Sequence, residues 1–215
     1  MSLTIAVISD THGKHRDITI PSAEVLVHCG DTVGRNSREE VVDFLQWFES
    51  QPHPVKLYGA GNHDGLYQKF PKEAREFVTQ YAPSVRYLEE ESIQVGGLDW
   101  FFSPYTPTFF DWYFMADRGS AIQAKWDKIP KDTQVLVTHG PPHGILDHVM
   151  DARAHQGCRN LADTIKTLPM LKAHFFGHLH LDGGKQEVHD GVTYVNAAIM
   201  DERYYPVNPP QVAQL

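Results

Sequence analysis

Seven residues of this sequence make a candidate ligand set for divalent cations: Asp10 and His12, Asp31, Asn62, His139, and His178 and His180. Two carboxylates, four imidazoles and one amide make a mixed oxygen and nitrogen set without thiolate, suited to borderline or hard ions such as Mn, Fe, Co, Ni or Zn. The set exceeds one tetrahedral site. It suits two metals sharing a ligand, and a carboxylate such as Asp31 is the natural bridge because its two oxygens can serve both ions. His63, next to Asn62, is one of thirteen histidines in 215 residues, enough to make imidazole chemistry worth following.

Each of these residues follows an apolar run. The stretches "TIAVISDTHG", "VLVHCGDTVG", "VKLYGAGNHDG", "QVLVTHGPPHG" and "AHFFGHLHLDGG" share one design, a buried strand followed at once by polar residues and glycine. Continuous apolar runs read as strands of an α/β sheet covered on both faces. In such sheets the ligand site lies at the carboxyl ends of the strands, so the candidates converge there. Side chains two apart in extended backbone share a side, which predicts that Asp10 and His12 face one pocket with His178 and His180, while Thr11 and Leu179 point away.

The intervening segments predict helices. Ser37 to Glu40 reads S-x-x-E, a capping box, and Val41, Phe44, Leu45 and Phe48 fall on one helical face after it. That crossover allows the second and third strands to be parallel. Pro71 opens a helix running to about Tyr81, another covers Ser120 to Lys128, and a third carries Leu161, Ile165 and Leu168 and stops at Pro169. Hairpins are predicted over Ser92 to Phe102, turning at Gly96-Gly97, and over Lys185 to Asn196, turning at Asp190-Gly191; they suggest a second sheet. Pro206, Pro209 and Pro210 forbid helix, so the tail from about residue 204 is extended.

The length and composition suit one domain over residues 1–215. The run Ile5 to Ile8 is too short for a membrane span or a signal-peptide core, and two isolated cysteines form no disulfide framework, so a soluble cytoplasmic protein is expected. A net charge of −8 disfavours long nucleic acid and leaves a small phosphate ester as the expected partner.

The motifs "DTH", "GD", "GNHD", "THG" and "GHLH", in this order from Asp10 to His180, resemble the calcineurin-like metallophosphoesterases. The resemblance implies a two-sheet αββα sandwich and two divalent ions. Asp10, His12, Asp31 and His180 would hold the first metal, and Asp31, Asn62, His139 and His178 the second. His63 would be a non-ligand that protonates the leaving oxygen while a hydroxide held between the metals attacks phosphorus, with Asp64 orienting His63. "THGPP", "SPYTPTFFDWYF", "KWDKIP" and "NPP" are similar to the metallophosphoesterase-domain-containing subfamily, close to the class III cyclic-nucleotide phosphodiesterases. Animal members of that subfamily carry Gly at the first His of the last motif, so the His178 kept here implies a better-formed second site. The function implied is a phosphodiesterase for small nucleotides such as 2′,3′- or 3′,5′-cyclic species. Alternatives are a phosphomonoesterase or protein phosphatase of the same fold, and a catalytically silent binding scaffold.

Three further residues are candidate substrate contacts: His143 in "GPPHG", and Arg35 and Arg118, whose guanidinium groups suit a phosphate oxygen. His28 and His174 read as core histidines, and His15, His53, His148, His155 and His189 as surface residues. The aromatic segment from Tyr105 to Phe114 reads as a loop packed over the second sheet, with a stacking wall for a nucleobase as the alternative.

Overall fold

In the computed structural model, which describes residues 2–149 and 154–215, all five apolar runs are strands. β1 (Thr4–Ile8), β2 (Val25–His28), β3 (Val55–Tyr58) and β4 (Val85–Tyr87) pair in parallel in that order. α1 (Arg38–Glu49) crosses from β2 to β3, and α2 (Gly65–Lys69) and α3 (Pro71–Tyr81) cross from β3 to β4. The capping box closes α1 as predicted: Ser37 Oγ accepts the Glu40 amide at 3.2 Å, and Glu40 Oε2 accepts the Ser37 amide at 3.4 Å.

β5 (Glu91–Val95) and β6 (Leu98–Ser103) then start a second sheet. A short parallel pair, β7 (Thr106–Pro107) and β8 (Met115–Ala116), holds the ends of the aromatic segment together. After α4 (Ser120–Trp126) the chain returns as β9 (Val135–Thr138), and after α5 (Arg159–Ile165) as β10 (Ala173–Phe176). α5 is shorter than its periodicity suggests, and Leu168 packs just beyond its end. β11 (Lys185–His189) and β12 (Val192–Asn196) complete a six-stranded sheet in the order β11-β12-β10-β9-β6-β5. Both hairpins turn where expected, with positive φ at Gly96 and Gly97 and at Asp190 and Gly191.

The tail is more than extended. β13 (Gln211–Gln214) joins the first sheet as a strand antiparallel to β1, and Leu3 and Leu215 exchange backbone hydrogen bonds of 2.8 and 3.1 Å beyond it.

Alternation along the strands makes the layers. Ile5, Val7, Val25, Val27 and Leu57 from one sheet meet Phe102, Val135, Val137, Phe175 and Val195 from the other in one apolar core. The intervening residues Ala6, Ile8, Leu26 and Tyr58 face α1 and α3, while Phe101, Leu136, Phe176 and Tyr194 face α4 and α5. The result is the expected αββα sandwich. At their carboxyl ends the sheets are bonded to each other: the Ser9 amide donates to Ala197 O, and the Ile199 amide donates to Ser9 O, both at 2.9 Å. The polar residues that follow β1, β2, β3, β9 and β10 therefore reach one place.

Candidate metal centre

Asp10 and Asp31 are the buried centre of that place. Asp31 Oδ2 lies 3.8 Å from His12 Nε2, 3.3 Å from His139 Nε2 and 4.0 Å from His63 Nε2. Asp10 Oδ1 lies 3.9 Å from His12 Nε2 and 3.4 Å from His180 Nε2. Asn62 Oδ1 is 2.9 Å from His139 Nε2, and the His178 ring centroid is 4.9 Å from that of His139. Eight predicted residues thus meet, and seven of them form three overlapping groups able to hold a cation: Asp10, His12 and His180; His12, Asp31 and His63; Asp31, His139 and His178.

The backbone that achieves this is not the one expected. Asp10, His12, Asp31 and His178 have φ of 53°, 43°, 59° and 69°, so left-handed turns rather than strand alternation aim the side chains. Each such residue costs on the order of 1–2 kcal/mol. Hydrogen bonds lock the turns: Asp10 Oδ2 accepts the His178 amide at 2.8 Å, and Asp31 Oδ1 accepts the His63 amide at 2.7 Å. Thr11 points away as predicted, bonded to His28, whereas Leu179 lines the cavity beside the site.

Electrostatics sort the imidazoles. Burial pushes His12 down to about 4 and His178 down to about 3, leaving both neutral and able to donate a lone pair. Burial also opposes charge on His139 and His180, but Asp31 raises His139 to about 9, and the Asp10 carboxylate, 3.4 Å away, raises His180. Both carboxylates are held below their usual range against burial, Asp31 by the charge on His139 and Asp10 by the His180 imidazole beside it.

The donor set fits divalent cations. Among the described residues, Asp10 Oδ1 and both ring nitrogens of His12 are buried without a hydrogen-bond partner. Such orphaned atoms are costly unless a ligand satisfies them. His139 Nδ1–H donates to Cys29 O and His180 Nδ1–H to Asp201 O, both at 3.0 Å, which turns each Nε2 inward in the manner of metal-binding histidines.

The cluster floors a cavity of about 470 Å³ whose wall includes Phe109, Phe110, Trp112, Arg118, Glu202 and Tyr204. The aromatic segment divides between its two readings. Phe114 is fully buried and Tyr105 and Tyr113 pack against the apolar core, whereas Phe109, Phe110 and Trp112 face the cavity. Arg118 reaches the wall, but its Nη1 and Nη2 donate to Gly157 O at 3.2 Å and Gln156 O at 2.9 Å.

Two predicted contacts are not brought to the site. His143 follows a turn that carries it to a different depression, beside Arg159 and Tyr194. Arg35 is exposed in the loop before α1 and does not line the cavity. Asp64 does not orient His63; its carboxylate turns back to accept the amides of Asp31, Thr32 and Gly61 at 2.8–3.0 Å and the Thr32 hydroxyl at 2.7 Å. His15 and His53, expected on the surface, are buried, His15 against Asp43 and Trp47 and His53 against Pro21 O.

Sequence reasoning missed Tyr204 as part of the site. Its ring lies edge-on to His12 at 4.8 Å and to His180 at 5.3 Å, from a backbone with φ of 60°. It also missed why glycine precedes the ligands: a Cβ on Gly177 would overlap Asp10 Oδ2 and Ser9, and one on Gly61 would press on Asp31 and His139. The recurring glycine of "GNHD" and "GHLH" was the available signal.

Two facing sheets between helices, with a buried His/Asp cluster at their joined carboxyl ends, define a metal-binding α/β protein. The family model described as calcineurin-like phosphoesterase matches residues 3–182, and the chain belongs to that family of metal-dependent phosphoester hydrolases. Metallophosphoesterase domain-containing protein 1 of Homo sapiens is 35% identical over 228 residues, spanning 97% of this chain and 69% of that protein. The Mus musculus protein of the same name matches at the same 35% and the same coverage, 97% and 69%. A crystal structure of a Thermus thermophilus protein superposes with a TM-score of 0.62 at 14% identity, over 91% of this chain and 89% of its own, a likeness of fold alone.

Proposed function

We propose that the chain is a phosphodiesterase for small nucleotide-type diesters, 2′,3′- or 3′,5′-cyclic nucleotides first among them, with a centre of two divalent ions. Asp10, His12, Asp31 and His180 would hold one ion, and Asp31, Asn62, His139 and His178 the other. The observation that carries this reading is the shared carboxylate, with Asp31 Oδ2 between His12 Nε2 at 3.8 Å and His139 Nε2 at 3.3 Å. Bound divalent ions supply Lewis acidity toward a phosphoryl oxygen and bring the pKa of water toward neutrality.

The remaining steps belong to the protein's own groups. His63 is half-buried with its ring on the cavity wall, where an imidazolium would protonate a departing alkoxide. Phe109 and Phe110 offer apolar faces to a base. Charge favours a diester over a monoester, which carries a further negative charge. Among the described residues lining the cavity the one guanidinium, Arg118, is turned to backbone carbonyls, and Glu202 adds a negative group. The net charge of −8 offers long nucleic acid no attraction. Two buried free cysteines support a reducing, cytoplasmic setting, and no helix among the described residues is long and apolar enough to cross a membrane.

The test is turnover of bis-nitrophenyl phosphate against nitrophenyl phosphate by chelator-stripped protein, before and after adding Mn²⁺, Ni²⁺, Co²⁺, Fe²⁺ or Zn²⁺ separately. Metal-restored preference for the diester is expected. Preference for the monoester would replace this reading with a phosphatase, and no turnover by folded, metal-loaded protein would replace it with a binding scaffold.

A further inference from the structure

Building on the assignment of His63 as the acid, we infer that Trp112 is a positioning residue that fixes the His63 ring. The segment bearing it is docked on the Asn62–Gly65 loop for that purpose. The Trp112 and His63 ring centroids are 4.1 Å apart with planes inclined by 31°, close to a stacked pair. On another side the imidazole meets the edge of His12 at 4.6 Å and 85°. An imidazole ring otherwise turns broadly about its last side-chain torsion. Held between an indole face and a second imidazole, His63 keeps Nε2 over the carboxylate of Asp31 at 4.0 Å.

Among the described residues the one aromatic ring that Trp112 packs against is His63. Trp112 belongs to none of the three apolar cores among the described residues and remains 40% exposed. Its neighbours, in contrast, are anchored. The Tyr113 amide donates to Asn62 O at 3.2 Å, and the Phe114 amide donates to Gln68 Oε1 at 2.9 Å. The Tyr113 ring fills the space where a Cβ on Gly65 would stand. Phe114 is fully buried although its φ is 49°, a costly conformation for an aromatic residue. Two residues of "WYF" therefore clamp the loop, and the third lies on the acid. The clamp matters for rate because a proton donor acts only within hydrogen-bond reach, and a misplacement of about 1 Å can cost about 100-fold.

The test compares Trp112→Ala, Trp112→Phe, His63→Ala and the double variant Trp112→Ala/His63→Ala as metal-loaded full chains. Substrates are a 2′,3′-cyclic nucleotide, with its alkoxide leaving group, and bis-nitrophenyl phosphate. Trp112→Ala is expected to lower kcat on the cyclic nucleotide about 10- to 100-fold with KM little changed, to spare the nitrophenyl diester, and to be rescued by Phe. In the His63→Ala background the same change should add nothing. In metal-free protein the His63 Cε1–H resonance should lose its ring-current shift on Trp112→Ala. Equal losses in both backgrounds, or a raised KM with kcat unchanged, would show that Trp112 binds substrate itself and would overturn the inference, as would an unmoved resonance. If His63→Ala alone leaves turnover intact, the acid assignment fails, whereas the resonance still reports on the contact between the two rings.

Discussion

Asp64 stands directly behind Asp31: its Oδ2 accepts the Asp31 backbone amide at 2.8 Å and the Gly61 amide at the same distance. One carboxylate thereby joins the loop after β2 to the loop after β3, the two that deliver Asp31, Asn62 and His63. Its burial, and then the charge of Asp31, push Asp64 up to about 6, so the bonds are made by a group that resists ionisation.

Replacing Asp64 should therefore damage the site without removing a ligand. Asp64→Ala strands buried amides at about 1–3 kcal/mol each, and a loss of roughly 2–5 kcal/mol is expected from denaturant titration. Asp64→Asn should recover only part of it, since its NH₂ faces donors. Wild-type stability in either variant would refute the joining role.

Asp31→Ala should abolish both bound ions and lower diester turnover by at least about 100-fold, because even partners behind a ligand commonly cost about 10- to 100-fold. His178→Gly should release one ion and keep the other. Elemental analysis of dialysed protein distinguishes these outcomes, and two ions retained by either variant would contradict the ligand assignment.

Gly177→Ala drives a methyl group against Asp10 Oδ2 and Ser9. Overpacking of this kind costs about 1–3 kcal/mol. The displaced carboxylate should also lose the first ion, read as a lowered melting temperature together with lowered metal content. An unaffected metal content would mean that Asp10 tolerates the shift.

His174 governs part of the acid limb of stability. Thr138 Oγ1 donates to Gly140 O at 2.6 Å, so its contact of 2.8 Å with His174 Nε2 is one in which the imidazole donates, and His174 Nδ1 has no partner among the described residues. Burial pushes His174 down to about 3, against 6.5 when unfolded. The unfolded chain therefore binds the proton first, and stability falls as pH drops from about 6.5 toward about 3, by up to about 1.4 kcal/mol per unit. His174→Gln, which keeps a donor and cannot titrate, should flatten that limb in urea unfolding measured at successive pH values. An unchanged slope would place the acid sensitivity elsewhere.

The layers were legible in the sequence because β1, β2, β3, β9 and β10 are uninterrupted apolar runs that end in polar residues. The ligand cluster followed from those ends. What remained hidden was set by long-range contact. His15 looks like a surface residue among Lys14 and Arg16, and only the packing of α1 brings Asp43 and Trp47 over it. The left-handed backbone at Asp10 and His178 has only a weak signature in residue type, since Asp and His enter that region more often than most side chains but far less readily than glycine. Asp64 adjoins His63 in sequence, yet the turn that exposes one side chain buries the other. Trp112 has no periodicity to announce it, because its partner lies on another loop.

Asp10 accepts the His178 amide across 168 residues of chain, and the Ser9 backbone is bridged to Ala198. During synthesis the earliest ligands leave the ribosome long before the strand that completes their surroundings. Closing a loop of that length carries a large chain-entropy cost and slows folding. Asp10 and His12 therefore meet His178 and His180 only once β10 has docked, so the complete ligand set is a product of that long-range pairing.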